Sequence, residues 1–170
     1  RVGIAMRNPP SWILSYMGAV KTGAIATLLN GWWEPAEMEH AILLTDPRLI
    51  IADTPRAKRI AERCSNRDIV GILVELPAEE ALEPIIAQHG GELPAVGPED
   101  DATILFTSGS TGLCKGAVST HRAVTTGTYC YASGIIVLLG LLTEEGRAPE
   151  TPPRTLLSVP LFHVTGEVPR

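Results

Sequence analysis

One ten-residue segment combines the residue types that bind an anion. It runs from Thr107 to Gly116 and reads Thr-Ser-Gly-Ser-Thr-Gly-Leu-Cys-Lys-Gly. Its glycines allow positive φ and let several backbone N–H groups turn toward one point. Its polar groups are four hydroxyls and a mobile ammonium, from Thr107, Ser108, Ser110, Thr111 and Lys115. Because a predicted strand leads directly into it, the segment is interpreted as a phosphate-binding loop.

Other interpretations of this loop fit less well. A Walker phosphate loop started at Gly109 would need glycine in place of Cys114 and a hydroxyl residue in place of Gly116. The dinucleotide-binding pattern G-x-G-x-x-G fails as well. A flexible linker is the plain alternative, but linkers rarely follow a buried strand and end in Lys-Gly.

A second motif lies near the end of the chain, where residues 160–166 read Pro-Leu-Phe-His-Val-Thr-Gly. It follows the apolar residues 155–159, which predict a strand. His163 is its titratable residue. A lone histidine beside an apolar strand is more often structural than functional, so a role for His163 depends on what surrounds it.

The first 76 residues predict the scaffold for these motifs. Apolar runs at 2–6, 24–29, 49–52 and 69–74 predict four strands. The segments between them predict three helices. The first is capped by Ser11 and ended by Gly23, and the second starts near Pro35. The third is capped by Asp53 or Thr54, and its apolar face carries Ala57, Ile60, Ala61 and Cys64. This alternation predicts an α/β fold with a mostly parallel sheet and helices on both faces. Such sheets bind ligands beyond the carboxyl ends of their strands.

The rest of the chain is predicted to continue the same domain. Residues 77–99 predict a connecting segment with a short helix, and residues 102–106 predict the strand before the loop. The apolar stretch from Tyr129 to Leu142 predicts a buried helix. We therefore divide the chain into a first α/β segment, 1–76, a connecting segment, 77–99, and a loop-bearing segment, 100–170.

A few residues that could do chemistry receive no functional role from the sequence. Trp32 and Trp33 are interpreted as packing residues at a strand–helix junction rather than as a ligand platform. His40 and His89 have no evident partner and are assigned no role.

The composition excludes several classes of protein. Hydrophobic residues make up 45% of the chain and charged residues 19%, which excludes an intrinsically disordered chain. The net charge of −5, without a basic run, argues against nucleic-acid binding. Three widely separated cysteines fit reduced thiols of a cytoplasmic protein better than a disulfide framework or a zinc site. The longest apolar run, 134–142, is shorter than the roughly 20 residues that span a bilayer, which predicts no transmembrane segment.

The loop resembles the signature of the adenylate-forming enzymes, T-S-G-[ST]-T-G-x-P-K-G. This superfamily includes acyl-CoA synthetases, coumarate-CoA ligases, luciferases and peptide-synthetase adenylation domains. The residues around the loop, 100–106 and 119–122, are also similar to these enzymes, as is the N-terminal stretch 2–53, especially 4–25 and 29–33. The chain departs at Cys114, where the family has proline, so its loop is expected to be less rigid. We interpret Cys114 as a tolerated small residue rather than as a reactive thiol.

The resemblance implies part of an acyl- or aryl-CoA synthetase. Such an enzyme activates a carboxylate with MgATP to an acyl-adenylate and transfers the acyl group to CoA. ATP, Mg²⁺, CoA and the carboxylate are therefore the implied cofactors and partners. The implied phosphate contacts are Thr107, Ser108, Gly109, Ser110, Thr111, Gly112 and Lys115, and His163 is the implied residue of the acyl pocket. No catalytic residue and no metal ligand is assigned within the chain.

Two other functions stay open. One is an adenylating enzyme without the CoA step, such as an acyl-AMP ligase or a luciferase-like enzyme, and the other is a non-enzymatic nucleotide-binding module. The motif at 160–166 favours CoA ligases over peptide-synthetase domains. By the resemblance, later family motifs lie beyond residue 170, so the chain alone is expected to be inactive and to self-associate through exposed apolar surface.

Overall fold

A six-stranded sheet carries the helices and loops of this chain. The computed structural model describes residues 1–86, 91–107, 112–151, 154 and 156–163. The strands are β1 (Val2–Ala5), β2 (Ala26–Leu28), β3 (Leu49–Asp53), β4 (Asp68–Ile72), β5 (Asp101–Thr107) and β6 (Lys115–Thr120). The helices are α1 (Pro10–Lys21), α2 (Pro35–Thr45), α3 (Thr54–Ala61), α4 (Ala78–Leu82) and α5 (His121–Glu144), and a 3-10 turn follows α4 at Glu83–Ile85.

The strand order is β4-β3-β1-β2-β5-β6. The first five strands are parallel, and β6 returns antiparallel to β5. This arrangement confirms the predicted fold class of a mostly parallel sheet. Because β1, β2, β3 and β5 point the same way, the loops that follow them leave the sheet at one edge. We call this the carboxyl edge.

Successive apolar residues explain why both faces of the sheet are covered. Ile50 and Ile51 are both buried, yet they belong to separate core clusters because neighbouring side chains of a strand point to opposite faces. One cluster contains Trp12 and Tyr16 of α1, and the other contains Met38 of α2. Helices on both faces are therefore confirmed, as expected for strands that are apolar throughout.

The residues at the helix ends explain where the helices begin and end. Proline occupies the first turn of α1, α2 and α3, where its missing N–H is tolerated. Asp53 is the cap of α3, because its side chain accepts a hydrogen bond from the Arg56 N–H at 3.2 Å. The predicted cap of α1 is wrong: Pro9 holds that position, and Ser11 lies buried inside the helix. Gly23 follows the end of α1 with a φ of 73°, as a helix stop requires.

Two details of the predicted elements are wrong, and one segment packs more closely than expected. Ala61 is exposed, although it was assigned to the buried face of α3. Residues 156–159 form no strand, and Thr155 of that predicted strand lies outside the described residues. The connecting segment does contain a short helix, α4, whose Ala81 and Leu82 are buried, and α4 contacts α1.

The long helix α5 differs most from its predicted environment. It begins after Thr120, whose hydroxyl accepts a hydrogen bond from the Ala123 N–H, and it continues for 24 residues. None of its residues is buried, so the prediction of a buried helix is wrong. By length and composition alone, α5 could cross a membrane, so the argument from a nine-residue run does not exclude a membrane span here.

Candidate functional site

The predicted loop lies at the carboxyl edge. Thr107 is the last residue of β5, and Lys115, the first residue of β6, pairs with it in the sheet. The loop therefore leaves and re-enters the sheet at neighbouring positions. The segments after β1, β2 and β3 reach the same edge, which is where parallel sheets bind their ligands.

The described ends of the loop have the character that an anion site needs. Thr107 and Lys115 are exposed. Gly112 has a φ of 85°, a conformation that glycine adopts at no steric cost. The other predicted contacts, Ser108, Gly109, Ser110 and Thr111, lie outside the described residues. The role of all seven loop residues stays a prediction.

His40 of α2 contacts the end of this loop. Its Nε2 lies 3.2 Å from the carbonyl oxygen of Cys114, within hydrogen-bonding distance. The sequence-based statement that His40 has no partner is therefore wrong. Because the two residues are 74 positions apart and share no motif, no local pattern could have indicated the contact.

Cys114 is packed rather than presented to solvent. It is half-buried and contacts the core cluster that contains Met38 and Ile42. Burial raises the pKa of the Cys114 thiol, its own backbone hydrogen bond lowers that pKa, and the Glu37 carboxylate raises it. The thiol therefore holds its proton at neutral pH, which favours the interpretation of Cys114 as a tolerated packing residue.

A cleft of about 540 Å³ lies beside Lys115, between α2 and β6. Its lining includes His40 and Thr45 from α2 and the apolar Ile104 and Val118 from the sheet. Lys115 thus borders open space rather than a packed surface, so a bound anion can reach it.

The two tryptophans after β2 differ in their contacts. Trp33 packs edge-on against Phe106 of β5, with ring centroids 5.1 Å apart, which agrees with a packing role. Trp32 is 68% exposed and meets Phe162 edge-on, with centroids 5.4 Å apart. Trp32 thereby connects the segment after β2 to the second predicted motif.

The second motif lies against the carboxyl edge. Leu161 is buried in a core cluster, whereas the His163 side chain is exposed. The backbone N–H of His163 donates to the Pro160 carbonyl at 3.1 Å. A cavity of about 180 Å³ lies beside the motif, and its lining includes Pro160, Phe162 and Trp32 together with the polar Arg7, Asn8 and Arg56. Residues 164–166 of the motif lie outside the described residues. His163 follows Phe162 in the chain but does not line this cavity, and its role as a pocket residue stays a prediction.

A buried ion pair supports this edge of the sheet. Asp53 is fully buried, and its Oδ2 accepts from Nη1 of Arg56 at 2.6 Å and from the Arg7 N–H at 3.2 Å. Nε of Arg56 donates to the Gly31 carbonyl at 2.8 Å. A Cβ on Gly31 would collide with the Arg56 side chain, so this approach requires glycine. The sequence predicts Asp53 only as a helix cap, not as the link between three loops.

The described residues do not suit a magnesium site of their own. No group of three or more His, Cys, Asp or Glu side chains lies together within those residues. Mg²⁺ prefers several oxygen ligands, mostly carboxylates, waters and substrate phosphates. In the described part of this chain, the implied magnesium therefore has no carboxylate cluster to hold it.

Comparison with known proteins identifies the family. A model of the family described as AMP-binding enzyme matches residues 1–168. The chain belongs to this family. The chain is 34% identical, over 71% of its length, to the medium/long-chain-fatty-acid–CoA ligase FadD6 of Mycobacterium tuberculosis, and 28% identical, over 96%, to the long-chain-fatty-acid–CoA ligase FadD13 of the same species. It is also 28% identical, over 96% of the chain, to 4-coumarate-CoA ligase 2 of Narcissus pseudonarcissus. The resemblance to adenylate-forming enzymes is thus confirmed.

Solved structures agree with the fold of this chain. The N-terminal domain of FACL13 from Mycobacterium tuberculosis matches with a TM-score of 0.73 and 25% identity, over 99% of this chain and 40% of that one. ATP-bound MatB from Rhodopseudomonas palustris matches with a TM-score of 0.71 and 21% identity, over 99% of this chain and 31% of that one. The chain covers 21% of FadD6, 31% of FadD13 and 30% of the Narcissus ligase.

Proposed function

We propose that this chain is the phosphate-loop region of an ATP-dependent, AMP-forming acyl- or aryl-CoA synthetase. The observation that carries the proposal is the ten-residue signature, joined to β5 and β6 at the carboxyl edge with Lys115 beside an open cleft. The fatty-acid–CoA and coumarate–CoA ligases that the chain resembles support the reaction class.

The loop acts on the phosphates of ATP in this proposal. Its hydroxyl and backbone N–H groups hold the β- and γ-phosphates, and Lys115 neutralises the charge that grows as pyrophosphate leaves. This is electrostatic stabilisation by donors already in place, not covalent catalysis. Magnesium bound to the nucleotide would supply further neutralisation. His40 contributes by holding the Cys114 carbonyl next to Lys115.

The second motif serves the carboxylate substrate in this proposal. Phe162 and Trp32 give an aromatic wall beside the cavity at the carboxyl edge, and His163 is the next residue in the chain. Such a surface suits the apolar body of an acyl or aryl carboxylate. The resulting acyl-adenylate is then the donor of the acyl group to the thiol of CoA.

Product analysis of the whole protein tests the proposal. The whole protein is incubated with MgATP, CoA and a panel of fatty and aromatic carboxylates, and acyl-adenylate, pyrophosphate exchange and acyl-CoA are measured. Formation of acyl-CoA is expected. Acyl-adenylate without acyl-CoA would favour an adenylating enzyme that lacks the CoA step, and absence of exchange with every carboxylate would favour a nucleotide-binding module.

The 170-residue chain is a useful comparison in the same assay. It covers only 21% to 31% of the ligases cited above, and its described part offers no carboxylate cluster for magnesium. We expect it to form no acyl-adenylate. Robust turnover by the chain alone would contradict this expectation.

A further inference from the structure

Asn8 joins two parts of the chain that are far apart in sequence. Its Nδ2 donates to the Val159 carbonyl at 2.7 Å, and its Oδ1 accepts from the Leu161 N–H at 3.0 Å. The side chain thus pairs with two backbone groups that flank Pro160. An amide side chain can do this because it carries a donor and an acceptor side by side, as a peptide group does.

The backbone of Asn8 is held between β1 and α1. Asn8 follows β1 and comes directly before Pro9, the cap of α1. A residue before proline is restricted to extended conformations, so Asn8 has little backbone freedom. The sheet and α1 therefore fix where the side chain leaves the backbone, and the two hydrogen bonds fix the direction of its amide.

The segment that Asn8 contacts has no regular structure of its own. Residues 156–163 belong to no strand or helix, so ladder hydrogen bonds do not hold them. Leu161 anchors the segment in the core, and Phe162 meets Trp32. The two hydrogen bonds from Asn8 set the orientation of the backbone between these contacts, and hence the position of the His163 backbone.

We infer that Asn8 is a positioning residue, which holds residues 159–163 so that Pro160 and Phe162 line the carboxylate pocket. The inference rests on the proposed function, since it takes the cavity beside Phe162 as that pocket. Asn8 touches no reacting atom in this role. It acts through the backbone of the second motif.

Hydrogen exchange on the whole protein tests the contact itself. In the Asn8→Ala variant, the Leu161 amide should exchange about threefold to tenfold faster, the effect of losing one hydrogen bond. Asn8→Asp places a carboxylate oxygen where Nδ2 donates to the Val159 carbonyl, so repulsion between the two oxygens should displace the side chain and speed Leu161 exchange as well. Asn66→Ala, an exposed asparagine in the turn before β4, is the matched control. Unchanged Leu161 exchange in Asn8→Ala would overturn the inference.

Kinetics distinguish positioning from general stabilisation. Asn8→Ala should raise KM for the carboxylate about threefold to tenfold and leave KM for ATP within about twofold, since one hydrogen bond near the carboxylate is lost. Equal rises in both KM values, together with a lower unfolding temperature, would overturn the positioning role. A wild-type protein that forms no acyl-adenylate would instead overturn the proposed function, and Leu161 exchange would still decide whether Asn8 holds the segment.

Discussion

Arg56 and Asp53 form a buried ion pair at the start of α3, with Nη1 of Arg56 2.6 Å from Oδ2 of Asp53. The Asp53 side chain has no exposed surface, and that of Arg56 is 12% exposed. Both partners also bind backbone: Asp53 accepts from the Arg7 N–H, and Arg56 donates to the Gly31 carbonyl. The pair therefore ties the ends of β1, β2 and β3 into one support for the carboxyl edge.

Removal of one partner should destabilise the fold strongly. Asp53→Ala leaves the Arg56 guanidinium nearly buried without its counter-charge and removes the cap of α3. We expect a loss of about 3–5 kcal/mol in the free energy of unfolding, the scale for breaking a buried pair. Glu75→Ala is the control, because it breaks the exposed Arg7–Glu75 pair and should cost about 1 kcal/mol or less. Equal losses in denaturant unfolding of the two variants would contradict the support role of Asp53.

Lys115 gives the sharpest test of the loop. In the whole protein, Lys115→Ala should lower the rate of carboxylate-dependent pyrophosphate exchange by about 30- to 1000-fold, equivalent to roughly 2–4 kcal/mol of lost transition-state stabilisation. Lys21→Ala is the matched control, because Lys21 ends α1 at the opposite edge of the sheet. Normal exchange in Lys115→Ala would remove this residue from the mechanism.

The contact between His40 and Cys114 predicts an effect on ATP rather than on the carboxylate. His40→Ala should speed amide exchange across residues 112–116 and lower kcat/KM for ATP about threefold to tenfold, the effect of one lost hydrogen bond. His40→Gln keeps an N–H donor at this position and should recover part of the loss. If both variants behave like the wild type, the contact has no bearing on the loop.

The fold could be predicted where the signal is local. Ile50 and Ile51 are neighbours, and their shared apolar character already indicates a strand buried on both faces. Whether α5 is buried or exposed could not be predicted in this way. Its apolar composition is the same whether or not another surface covers it, and in this structure the exposed Ile136 is not covered.

The same distinction between local and distant signals applies to the site. The glycines, hydroxyls and lysine of the loop lie within ten residues, so their spacing alone indicated a phosphate site. Asn8, His40 and Arg56 act through partners 151, 74 and 25 positions away. Such pairs form only when the sheet brings distant segments to one edge, and nothing in the neighbourhood of each residue shows its partner.

The three thiols should differ in reactivity. Burial raises the pKa of Cys64, as does the Glu39 carboxylate, against the opposing effect of Arg67 and Arg63. Burial is also the largest cause of the raised pKa of Cys114. Since the thiolate is the reactive form, both residues should be alkylated slowly at neutral pH and faster as the pH rises above the ordinary thiol range.

Alkylation followed by peptide mass spectrometry measures this order. The exposed Cys130 should be labelled first by iodoacetamide, before Cys64 and Cys114. Cys114→Ser serves as the control for assigning the slow phase. Fast labelling of Cys114 at pH 7 would revive its interpretation as a reactive thiol.

The exposed apolar surface of α5 should make the 170-residue chain self-associate. Ile136, Val137 and Leu141 are each more than half exposed on this helix, and α5 contacts the rest of the protein through β5 and β6. Apolar surface of this kind is covered in stable soluble proteins, and a second copy of α5 can cover it in the isolated chain. The weight-average mass in sedimentation equilibrium should therefore rise with concentration.

The double variant Ile136→Glu, Val137→Glu should abolish that rise, because association would bury two unpaired charges. Thr126→Glu adds a charge at another exposed position of the same helix and should change the association much less. A chain that stays monomeric at every concentration would show that α5 does not drive self-association.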